Sequence, residues 1–138
     1  MLPAVSIERD VAIGACAISA GIHAALVTGH FDESVGAGSG FAAATVLLAA
    51  LAAVLIWRPG DVVAVAAAGC VLAGLLASYL LAVTSGLPLL HPEPESIGGL
   101  ALATKAIEAV GLLAALRSIG RRRAAAPSAV LNSKGVRT

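Results

Sequence analysis

A chain of 138 residues that is 59% hydrophobic and 12% charged, with a mean hydropathy of +0.95, falls outside the balance of soluble globular domains and within that of membrane proteins. The formal charge of +1 hides an uneven distribution of charge along the chain, and the length leaves no room for a separate soluble domain of useful size. The bilayer is its main solvent.

Residues 1–10 carry Glu8, Arg9 and Asp10, and the first apolar span is expected over 11–28. Ile13-Gly14-Ala15-Cys16 imitates a lipoprotein cleavage box, but only Val11, Ala12 and Ile13 separate Asp10 from its first small residue, so the span reads as retained. Gly36-Ala37-Gly38-Ser39-Gly40 is expected to be a flexible entry to a second span at 40–57, which ends on interfacial Trp57 and snorkelling Arg58. Pro59-Gly60 then turns the chain into a third span at 62–85. A fourth follows at 97–116. The fold class is therefore all-α, a four-helix transmembrane bundle over residues 1–120, with 121–138 as a basic, disordered tail.

Arg9, Arg58, Arg117, Arg121, Arg122, Arg123, Lys134 and Arg137 occupy the segments that alternate crossings place on one side, so both termini should be cytoplasmic. The other two loops hold Asp32, Glu33, Glu93 and Glu95 and no lysine or arginine. Arg121-Arg122-Arg123 is expected to anchor the topology against anionic lipid, not to bind nucleic acid. The localisation that follows is multi-pass in the cell membrane.

The two acidic loops resemble each other. His30-Phe31-Asp32-Glu33-Ser34-Val35-Gly36 aligns with His91-Pro92-Glu93-Pro94-Glu95-Ser96-Ile97-Gly98 after one inserted residue, which points to two repeated helical hairpins. The plain account makes Ser34 and Ser96 helix N-caps with acids near positive helix ends. It leaves a histidine in each copy unexplained. The sharper account is an outer site in which His30, Asp32, Glu33, His91, Glu93 and Glu95 hold a divalent transition metal or a cationic ligand.

Within the fourth span, Lys105 and Glu108 stand three apart on one helical face, ~13 and ~18 Å inward from Ser96 at ~1.5 Å per residue. Each is costly unpaired, about +2.5 to +3.5 kcal/mol for lysine at a helix centre. They read either as a self-neutralising pair fixing the rotation of the helix or as part of a polar pocket lined by His23, Tyr79, Lys105 and Glu108, with the acidic loops as its mouth. Gly69/Ala73, Gly74/Ser78 and Gly99/Ala103 are small-residue pairs that should bring spans three and four close together. Cys16 and Cys70, inside spans one and three, read as buried inert thiols.

No nucleophile triad, phosphate loop, His-Glu-x-x-His motif or facing histidine pair for haem is evident, so a non-enzymatic role is expected. Gly21-Ile22-His23, residues 30–33, Thr84-Ser85-Gly86-Leu87-Pro88, residues 91–98 and Glu108 resemble small four-span membrane proteins of actinobacteria without assigned activity. That resemblance implies the bundle and no substrate, cofactor or catalytic residue. A weaker similarity to DoxX-like four-helix membrane proteins implies architecture alone. The reading is a structural or complex-associated membrane component, as a homodimer or within a larger assembly. Its alternative is a metal- or small-ligand-binding or transport protein.

Overall fold

The computed structural model describes residues 7–87 and 94–133, with side chains described as far as Ala124. Four helices follow one another: α1 (Ile7–Glu33), α2 (Val35–Trp57), α3 (Val62–Thr84) and α4 (Gly99–Ser133). Each is long and apolar enough to cross a membrane, and the described residues contain no sheet. The protein is a small all-α, multi-span membrane bundle.

Local chemistry sets the helix ends. Ser34, in extended conformation (φ −161°, ψ 149°), alone separates α1 from α2, and its hydroxyl accepts from the Ala37 amide at 3.0 Å. Asp61 caps α3 by accepting from the amides of Val63 and Ala64 at 2.9 and 3.2 Å. At the far end of α3, Gly86 adopts φ 72°, a left-handed conformation that glycine reaches without steric cost.

The acidic end departs from expectation. Residues 30–33 form the last turn of α1, and the glycine-rich stretch 36–40, expected to be a flexible entry, is the first part of α2. Backbone groups near hydrocarbon gain more from intrahelical hydrogen bonds than glycine loses in entropy. Gly38 has a packing role as well, since a Cβ there would run into the Phe31 ring. At the other end of the chain, α4 continues through Arg121–Arg123 and on to Ser133, past the boundary expected at residue 120.

Around the bundle the order is α2, α1, α4, α3. α1 packs most extensively on α2 and also on α4, α4 packs on α3, and of the pairs adjacent in this ring α2 and α3 touch least. Polar contacts tie one end together: Arg121 pairs with Glu8 at 2.8 Å, and Arg122 donates to the carbonyls of Gly60 and Pro59 at 2.9 and 3.3 Å. The start of α1, the α2–α3 turn and the described arginines of α4 therefore share a basic end, while Asp32, Glu33 and Glu95 lie toward the other.

The interior is built from small side chains. Ala12, Cys16, Leu48, Leu72 and Ala115 belong to one buried cluster, while Leu47, Leu80, Leu113 and Leu116 face outward, as lipid requires. Among the small-residue pairs expected between α3 and α4, Gly69 does border Ala115 and Leu112, but Gly74 and Gly99 face open space. A closer approach lies elsewhere: Gly111 of α4 abuts Ala15 of α1, with Leu72 beside it. Cys16 is buried as expected, whereas Cys70 is exposed on the outside of α3, where a thiol behaves as a small apolar group.

Candidate functional site

On α1, Ser19 and His23 are one turn apart and both are buried. The His23 Nδ1 lies 2.9 Å from the Ser19 carbonyl oxygen, which only accepts, so Nδ1 is the donor. The Ser19 hydroxyl, 3.3 Å from the same nitrogen, donates at 2.7 Å to Oε1 of Glu108 on α4. Lys105, one turn before Glu108, donates to Oε2 at 2.7 Å. Both oxygens of a carboxylate with 0% exposure are thus held by donors from two helices.

Lys105 also reaches toward α3, where its ammonium sits 5.5 Å from the centre of the Tyr79 ring, a cation–π distance. On the α1 side, His30 repeats the His23 arrangement: its Nδ1 donates at 2.9 Å to the Leu26 carbonyl four residues earlier. Phe41 of α2 stacks on His30 at 3.7 Å between centroids and meets His23 at 5.2 Å, tilted by 36°. Ring contacts therefore join the polar face of α1 to α2.

These side chains surround a cavity of about 380 Å³ lined by all four helices, within the usual size range of small-molecule sites. His23, His30, Phe41, Tyr79 and Lys105 contribute to its wall, and Glu95 and Leu87 reach it from the connection between α3 and α4. Toward the basic end lie the buried alanine and leucine side chains and the Gly111–Ala15 contact.

Most polar groups on the wall are already committed. Ser78 donates to the Leu75 carbonyl at 3.0 Å and Thr104 to the Leu100 carbonyl at 2.8 Å. The Tyr79 hydroxyl is different: its oxygen is buried and makes no hydrogen bond among the described residues. An unpaired buried hydroxyl costs about 1–3 kcal/mol.

The structure brings together His23, Tyr79, Lys105 and Glu108, although Glu108 lies behind the wall as the anchor of Lys105. It adds Ser19 and Phe41, neither singled out by the sequence. The six residues considered for a metal are placed differently. His30 faces the cavity, Glu95 lines it, and Asp32 and Glu33 are exposed at the end of α1. His91 and Glu93 lie outside the described residues. Among the described residues, no group of three or more His, Cys, Asp or Glu side chains is positioned to hold an ion.

No family model, curated protein or solved structure matches this chain.

Proposed function

We propose that this membrane protein is a binding component that holds one small, largely apolar molecule in the cavity between its four helices. The observation that carries the reading is the cavity of about 380 Å³ between the four helices, bordered by the rings of His23, His30, Phe41 and Tyr79 and by Lys105. With its basic end cytoplasmic, as the arginine distribution indicates, the acidic mouth of the cavity faces outward across the cell membrane.

The cavity can be filled from within. Ala44 of α2 is buried and lines it, so Ala44→Phe adds a ring to the ligand volume. Mass spectrometry of organic extracts from wild-type and Ala44→Phe protein, purified in lipid nanodiscs, should find a compound retained by the wild type at near one per chain and absent from the variant. Identical extracts from two equally folded proteins would overturn the reading.

A further inference from the structure

The adjacent helices that touch least, α2 and α3, both line the cavity. The turn at 58–61 ties them together at the basic end, so they are close beside it, and the contact this pair lacks is lacking farther along. Helical phase shows which flanks meet there. Gly38 packs against Phe31 of α1, and at about 100° per residue Gly40 lies roughly half a turn round from it, on the side of α2 away from α1. Gly69 of α3 borders Ala115 and Leu112 of α4, and Ser78, nine residues on, lies roughly half a turn round, away from α4. Gly40 and Ser78 both line the cavity, so these are the flanks that α2 and α3 turn to each other.

The two residues also share a depth. Counted from Trp57 and Val62, each is ~25 Å from the turn at ~1.5 Å per residue, and Gly40 is ~8 Å inside the α2 end at Val35. Gly40 is exposed, and a Cβ added to it would meet nothing, so the wall is open at this point. An opening at that depth faces hydrocarbon instead of water, and α2 and α3 expose Leu47 and Leu80 to the same surroundings. Behind it, Leu26, Leu75 and Leu100 give an aliphatic wall, while Ser78, Thr104, His23 and His30 each spend a polar atom on a carbonyl of their own helix. Lipid tails are as apolar as leucine and are the molecules present at the opening. A headgroup at the membrane surface leaves its chain within reach of it. Building on the binding reading above, we infer that the cavity opens sideways between α2 and α3, flanked by Gly40 and Ser78, and takes an acyl chain of a lipid from the leaflet at the acidic end.

The probe is a phosphatidylcholine carrying a diazirine midway along one acyl chain, incorporated with the protein into nanodiscs, photolysed and mapped by tandem mass spectrometry. His23 on α1 and Thr104 on α4 are the residues to read, because both line the cavity, are only 6% and 4% exposed, and belong to the two helices across the ring from the gap. Both should be labelled, together with outward Leu47 and Leu80. Gly40→Trp, whose side chain would start in open space, should cover the opening and abolish the labels on His23 and Thr104 while keeping those on Leu47 and Leu80. Leu47→Trp places the same ring on the outer surface and should leave the labels on His23 and Thr104 unchanged.

Labels on His23 and Thr104 that persist in a folded Gly40→Trp protein would overturn the opening between α2 and α3. If labels are confined to outward residues while the wild type still retains an extractable compound that Ala44→Phe loses, the acyl-chain assignment fails and the binding reading stands. If the extracts also match, both fail.

Discussion

The Lys105–Glu108 pair makes a quantitative prediction about which charges the bundle can lose. Glu108 has no exposed surface and is held by Lys105 and Ser19, each at 2.7 Å, while the Lys105 side chain is 16% exposed at the cavity. Lys105→Met leaves a buried carboxylate with one neutral donor, and breaking a buried pair in this way costs about 3–5 kcal/mol. Glu108→Leu leaves an ammonium deep in the bundle, at about 2.5–3.5 kcal/mol on insertion scales. The double variant removes both charges together and leaves only the Ser19 hydroxyl without its acceptor, about 1 kcal/mol. The double variant should therefore be more stable than either single one, with a coupling of several kcal/mol. Reversible unfolding of the four proteins in bicelles measures this directly. Additive losses would show that the two side chains do not stabilise each other and would refute the electrostatic account of the site.

Ser19→Ala removes one of the two donors to Glu108 and should cost about 1.5–3 kcal/mol in the same assay, the range for hydrogen bonds to charged groups. Gly111→Ala forces a methyl group against Ala15, so α1 and α4 must separate. A loss of about 1–3 kcal/mol is expected, with recovery when Ala15→Gly is added. At the basic end Arg121 is 76% exposed, so Arg121→Ala should change stability by less than about 1 kcal/mol, and less still at high salt.

The number of helices and the sorting of arginines to one end were readable from the sequence because hydropathy and charge act locally in a membrane protein. The acidic end was not. The N-cap at Ser34 was legible, but the alternating glycines after it read as a loop by the propensities of soluble proteins, and they are helical, in an α2 that begins directly after α1. In the site, the spacing of Lys105 and Glu108 announced their contact, and burial depth alone placed His23 and Tyr79 near them. Ser19 gave no comparable signal, because its partner is 89 residues away and a serine in an alanine-rich helix is unremarkable. Its position four residues before His23, on the same face, was the one available clue. Phe41 escaped notice for a related reason: its ring contacts are to α1, across a turn whose geometry the sequence did not disclose.

The circular order of the helices has a consequence for how the molecule is made. α4 is synthesised last, yet it lies between α1 and α3, which barely touch each other. In the bundle α4 fills the gap between them, with Ser19 and His23 on one side and Tyr79 on the other. The segment bearing Lys105 and Glu108 is the most expensive to transfer into lipid, and it meets a waiting hydroxyl donor and an aromatic face instead of bare hydrocarbon. A nascent chain stopped before α4 would lack Lys105 and Glu108, and with them the site.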